Sequence, residues 1–124
     1  MTETFGGKVL VVDDDMAMRS LLCMYLKKFG IANDSASNGR EAFELFQNTR
    51  YDLVFMDLRM PKMDGYEATR AIRKFEVDAA RSAVPIIAVS SEPNAHECLA
   101  AGMVDYYCKP LLEDQLKEVL LKWT

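Results

Sequence analysis

Residues 8–20 read KVLVVDDDMAMRS: Lys8 and the aliphatic run Val9–Val12 lead straight into Asp13, Asp14 and Asp15. A short, unbroken apolar run reads as a strand buried on both faces, as in a parallel sheet covered by helices. Three adjacent carboxylates at its end repel one another, and holding them together costs stability. Something at that strand end must repay the cost.

Two further runs, Leu53–Met56 and Pro85–Val89, have the same character, while Ile31–Ala36 and Asp105–Cys108 are more mixed and suit strands nearer a sheet edge. Between them the spacing turns helical. Leu22, Tyr25, Leu26 and Phe29 fall at i, i+3, i+4 and i+7 with Gly30 as a stop signal, and the spacing recurs at Ala68, Ala71, Ile72 and Phe75 and at Leu116, Val119, Leu120 and Trp123. Shorter helices are predicted from Gly39 to Phe46 and from Ala95 to Ala101. Five strands alternating with five helices predict an α/β fold, an open doubly wound parallel sheet with right-handed crossovers.

In such sheets ligands bind outside the carboxyl ends of the strands. Those ends deliver Asp13 and Asp14, Asp57, Ser90 and Lys109, so three carboxylates, a hydroxyl and an amine converge on one rim. A hard divalent cation turns the repulsion into coordination, and Mg²⁺ commonly takes one or two carboxylates, waters and a phosphate oxygen. With a lysine to hold the remaining phosphate oxygens, Asp57 becomes a candidate nucleophile for phosphoryl transfer.

The chain of 124 residues suits one domain, and 50% hydrophobic with 27% charged residues places it among globular rather than disordered chains. A formal net charge of −4 without a Lys/Arg cluster argues against a nucleic-acid surface. Cys23, Cys98 and Cys108 form no CxxC pair and have only His96 for company, so they are read as reduced core thiols. His96 itself reads as a surface helix residue. The start, MTETFGG, lacks the zones of a signal peptide, and no apolar stretch is long enough to span a bilayer; a cytoplasmic location away from membranes is expected.

The runs VLVVDDD (9–15), VFMDLRMPKMDGYEA (54–68), PIIAVSS (85–91) and DYYCKP (105–110), in that order, resemble the receiver domain of two-component response regulators. The likeness covers Lys8 to Trp123. It implies a flavodoxin-like (βα)5 sandwich with strand order 2-1-3-4-5, residues 1–7 standing as an N-terminal extension to a receiver domain over 8–124. It also implies a phosphorylation-activated switch in a phosphorelay rather than an enzyme with an outside substrate: the domain catalyses only its own phosphorylation and dephosphorylation. Asp57 matches the phosphoacceptor, served by a phosphohistidine on a histidine kinase or histidine phosphotransfer protein. Asp13 and Asp14 match the acidic pair that holds Mg²⁺, joined by Asp57 and the backbone carbonyl of Arg59. Lys109 matches the amine that pairs with the phosphoryl oxygens, and Ser90 the hydroxyl that moves to bond them. Tyr106 matches the aromatic whose rotamer reports that movement, on a face formed by the fourth helix, fifth strand and fifth helix where a downstream protein partner is expected.

Around these lie residues expected to shape the site. Pro61 and Gly65 fit a tight loop, Met60 packs it down, and Lys109-Pro110 resembles a family bond that is usually cis. Two departures stand out. The stretch from Ser90 to Gly102 is about three residues short of the family pattern, roughly one helical turn, with Pro93 expected near the helix start. Ser91 follows Ser90 where Ala is common, adding a hydroxyl at the entrance. Arg59 and Glu92 match positions that tune how readily water removes the phosphoryl group. The loop from Phe75 to Val84 resembles receivers fused to kinases.

Blander readings exist for each residue alone. Asp15 reads as a helix cap, Ser90 as part of a generic loop signal, and Lys109 and Tyr106 as ordinary solvated or half-buried side chains. Two rival functions share the acidic rim: a DxD-type phosphatase or phosphotransferase with Asp13 or Asp15 as nucleophile, and a degenerate receiver serving only as a binding module. Asp15 lacks the small turn and Thr expected of the first, and the intact acid, hydroxyl and lysine set speaks against the second.

Overall fold

A computed structural model of the chain describes residues 7–123. The extension expected at residues 1–7 therefore lies, apart from Gly7, outside the described residues. The elements run β1 (Lys8–Val12), α1 (Met16–Lys28), β2 (Ala32–Ala36), α2 (Gly39–Asn48), β3 (Leu53–Met56), α3 (Gly65–Asp78), β4 (Ile86–Ser90), α4 (Ala95–Ala101), β5 (Asp105–Cys108) and α5 (Glu113–Trp123). All strand pairs are parallel and the order is β2-β1-β3-β4-β5, as expected. The more polar strands β2 and β5 take the two edges, where one side needs no apolar partner.

Alternation along the buried strands divides the core into two layers. Leu10, Val12, Val54, Met56, Ile86 and Ala88 face Phe46, Ile72 and Cys98 on one side of the sheet. Their neighbours Val9, Val11, Leu53, Phe55, Ile87 and Val89 face Leu22, Leu26, Leu116 and Val119 on the other. Each large side chain so buried contributes about 1.5–3 kcal/mol.

The helix ends follow from local chemistry. Asp15 caps α1, its carboxylate accepting from the Ala17 N–H at 2.9 Å. At the other end Gly30 adopts φ +75°, a left-handed conformation that a side chain would strain. Asp64 and Glu67 form a reciprocal capping box at the start of α3.

Small differences from the predicted boundaries have identifiable causes. β2 begins at Ala32 because the Ile31 N–H closes α1 on the Leu26 carbonyl at 2.9 Å. β4 begins after Pro85, which has no N–H for the ladder, and runs through Ser90, whose carbonyl accepts from the Lys109 N–H at 2.9 Å. α4 spans Ala95–Ala101 as expected, with Pro93 just before its cap Asn94. The loop expected from Phe75 is helical to Asp78, with Lys74 and Asp78 paired at 3.1 Å across one turn. The three cysteines differ as well: Cys98 is buried and Cys23 half-buried, but Cys108 is exposed because it points away from the core on an edge strand. His96 is exposed on α4. Among the described residues no helix is long and apolar enough to cross a membrane.

Candidate functional site

The sheet ladder brings the strand ends to one rim. The Asp57 N–H donates to the Val12 carbonyl at 2.9 Å and the Asp13 N–H to the Ala36 carbonyl at 3.1 Å, so β1 and β3 release their aspartates side by side. Asp13, Asp14 and Asp57 offer carboxylate oxygens that all lie within 4.8 Å of one another. Asp13 and Asp57 are buried, 2% and 4% exposed, while Asp14 is exposed. From β5, the Lys109 ammonium reaches Asp13 at 3.0 Å and Asp57 at 3.3 Å. Ser90 is buried at the end of β4, its Oγ accepting from the Glu92 N–H at 3.4 Å.

Electrostatics make this rim unusual. Burial pushes the Asp57 carboxyl up, the Asp13 charge adds to it, and Lys109 with the Arg59 backbone N–H pulls the other way; the result is about 6. For Lys109 burial works against the charged form, but the ion pairs with Asp13 and Asp57 outweigh it and hold the amine above its ordinary range. One ammonium faces three carboxylates. That surplus of close, hard oxygen donors is chemistry suited to a divalent cation such as Mg²⁺.

The loop after β3 frames one side. A Cβ at Gly65 would drive into the Asp57 carbonyl oxygen, and the Gly65 N–H donates to the Leu58 carbonyl at 3.0 Å, so only glycine lets α3 begin this close to Asp57. Met60 is half-buried against the core layer, Pro61 is exposed, and Lys62 takes φ 69°. Facing this loop, Arg59 approaches Glu92 at 3.8 Å, with both side chains more than 80% exposed. They stand at the mouth of a polar cleft of about 390 Å³ that Tyr66 and Glu97 also line. Ser91 is exposed at the entrance, the Lys109-Pro110 bond is cis, and Tyr106 lies outward on β5, 42% exposed.

One contributor carries no expectation from sequence. The Arg19 guanidinium donates to the Asp13 carbonyl at 2.8 Å and braces the acidic turn from inside α1. Asp13 Oδ1 in turn accepts from the Asp15 N–H at 2.9 Å, which holds that carboxylate in place. The D-x-x-E spacing of Asp64 and Glu67 is a readable cap signal; Arg19, six residues from its partner, offers none.

The sequence profile of the response regulator receiver domain matches residues 9–121. The sensor protein GacS of Pseudomonas syringae pv. syringae is 41% identical over 120 residues, covering 94% of this chain and 13% of GacS. The transcriptional regulatory protein ResD of Bacillus subtilis (strain 168) is 39% identical over 125 residues, covering 98% of this chain and 48% of ResD. The chain thus spans a small part of the first and about half of the second. Among solved structures, a Saccharomyces cerevisiae complex of the histidine phosphotransfer signaling protein Ypd1 with the receiver domain of its downstream response regulator Ssk1 matches at TM-score 0.88 and 29% identity, covering 94% of this chain and 87% of that one. The receiver domain of a Pseudomonas aeruginosa PAO1 sensor histidine kinase, with a magnesium ion coordinated in its active site cleft, matches at TM-score 0.82 and 33% identity, covering 96% and 98%. With a profile match running from the first strand into the last helix, this chain belongs to the response regulator receiver domain family.

Proposed function

We propose that the chain is a phosphorylation-activated switch of a two-component phosphorelay, with Asp57 as the phosphoacceptor. The observation that carries this reading is the rim itself: Asp13, Asp14 and Asp57 within 4.8 Å of one another, and the Lys109 ammonium 3.3 Å from Asp57. Asp13, Asp14, Asp57 and the Arg59 carbonyl would hold Mg²⁺. The bound ion supplies charge neutralisation as the phosphoryl group arrives.

A carboxylate oxygen of Asp57 forms the new bond to phosphorus, and the phosphorus–nitrogen bond of a phosphohistidine breaks, its electron pair returning to the imidazole. Lys109 is placed to pair with the incoming oxygens, and Ser90, already at the strand end, to donate its hydroxyl to one of them. The added group carries about 1.5 to 2 negative charges, enough to bias a bistable loop. The readout is a population shift at the Tyr106 face, where a downstream protein prefers one state.

The donor is a histidine kinase or histidine phosphotransfer protein, in keeping with the Ypd1 complex of a similar receiver. Residues 8–124 form the receiver unit and act in the cytoplasm, without membrane or nucleic acid as direct partner. The domain is regulatory and turns over only its own phosphoryl group.

The test is intact mass after incubation with a small-molecule phosphodonor, with and without Mg²⁺, for wild type and Asp57→Asn. A single labile, Mg²⁺-dependent adduct that the variant lacks is expected. An adduct that persists in Asp57→Asn would move the nucleophile elsewhere on the rim, and none in wild type would leave a binding module.

A further inference from the structure

The rim uses its buried charges, but one buried carboxylate lies outside it. Glu76 on α3 is 2% exposed; Oε1 accepts from Arg73 Nη1 at 2.8 Å and Oε2 from the Val84 N–H at 2.8 Å. The other arms of the same guanidinium, Nε and Nη2, donate to the Gly102 carbonyl at 3.0 and 2.8 Å. One ion pair therefore joins α3, the approach to β4 and the C-cap of α4.

A buried ion pair is weak evidence of net stabilisation, because desolvation offsets the attraction. Its clearest effect here is on geometry. Gly102 takes φ +108°, and a Cβ there would meet Arg73 Cγ at 2.9 Å, so the arginine lies flat across the glycine. α4 itself is seven residues long, about two turns, and a helix that short does not hold itself together in water. Its two ends are held unequally. Toward the amino end Tyr66 Oη on α3 donates to the Glu97 carboxylate at 3.5 Å and also meets the Cys98 thiol, a longer and partly exposed contact next to the exposed Ser91 and Glu92.

We propose that Arg73 is a positioning residue that pins the carboxyl end of α4 to α3 through Gly102, so that α4 answers events at Ser90 by pivoting about that end. The pivot rests on the switch reading above; the pin does not. α3 and the tail of α4 then behave as one body, and the conformational signal concentrates at residues 91–99.

Residue-resolved amide exchange on the full chain tests this, with strand amides such as Val11 and Phe55 as the internal gauge of global opening. Arg73→Lys keeps a positive charge against Glu76 but loses the planar fork; the double variant Arg73→Met/Glu76→Met removes both charges and guards against a stranded carboxylate. The Gly102 and Met103 N–H groups, bonded to the Leu99 and Cys98 carbonyls, should exchange at least about tenfold faster in both variants while the strand amides keep their rates. No selective rise in either variant overturns the pin. Adding Mg²⁺ with beryllofluoride to wild type should change exchange at Cys98 and Leu99 but not at Gly102 and Met103, and in Arg73→Lys the change should spread to all four. Equal change at both ends of wild-type α4 overturns the pivot. No change in a protein whose Asp57 takes a phosphoryl group overturns the pivot too. No change together with no adduct counts against the switch reading, and the unliganded comparison still decides the pin.

Discussion

Asp57 lies 3.3 Å from the Lys109 ammonium, and its pKa is still raised to about 6. Burial and the Asp13 carboxylate together outweigh the favourable ion pair. Without a bound cation the ionised Asp57 is therefore a liability to the fold.

The pH dependence follows with a definite sign. The folded pKa lies above the ordinary carboxyl value, so the native state binds more protons between about pH 4 and 6. This group's contribution is fully present below about pH 4 and is lost as pH rises through 6. Asp57→Asn removes the charge and keeps the shape, so at pH 7.5 without metal the variant should be more stable than wild type by about 2 kcal/mol. The gap should close toward pH 4. Urea unfolding in the presence of a chelator measures it, and a variant equal to wild type at pH 7.5 would show that the rim is not strained.

Magnesium should reverse that order. A ligand held only by the native state stabilises by about 2.7 kcal/mol at one hundred times its Kd, and a cation among Asp13, Asp14 and Asp57 would also relieve the carboxylate repulsion. Wild type should gain stability on titration with Mg²⁺, whereas Asp13→Asn and Asp57→Asn should lose most of the gain. Arg59→Ala should keep it, because the role assigned to Arg59 belongs to its backbone carbonyl. Loss of the gain in Arg59→Ala would place its side chain at the ion.

Two left-handed positions give opposite expectations. Ala80 follows α3 at φ 56°, its N–H donating to the Val77 carbonyl at 3.1 Å, where glycine is the residue of choice. Ala80→Gly should stabilise by about 0.5–1 kcal/mol. Gly30 follows α1 at φ +75°, and a Cβ there would find nothing within 4 Å, so Gly30→Ala meets backbone strain alone and should cost about 1 kcal/mol. Thermal or urea unfolding of the pair separates conformational strain from packing.

Most of the fold and the rim is legible in the order of residues. Apolar runs ending in Asp13, Asp57, Ser90 and Lys109 announce both a parallel sheet and the site, because in a βα fold strand order alone decides which ends meet. What stays hidden depends on partners outside the i, i+3 and i, i+4 spacings that a helix makes readable. Arg19 bracing Asp13 and Arg73 reaching Gly102 look in the sequence like any helical arginine. Cys108 departs from the core position expected of it because its exposure depends on which face of an edge strand it occupies, and a one-residue change of register exchanges the faces.

The lifetime of the phosphoryl group should rest on Arg59 and Glu92. They meet at 3.8 Å, and both line the polar cleft that Tyr66 and Glu97 share. Both side chains are more than 80% exposed, so the pair contributes little to stability and its geometry is free to vary. Its expected consequence is kinetic: on the phosphoacceptor reading, two long side chains of opposite charge would obstruct a water approaching the acyl phosphate. Replacing both with alanine should leave the unfolding free energy within about 0.5 kcal/mol of wild type while the Asp57 adduct decays several-fold faster. The single variants should fall between, since either side chain alone still obstructs part of the path. Decay of the intact-mass adduct after removal of phosphodonor reads the rate directly, and an unchanged rate in the double variant would remove the pair from any role in hydrolysis.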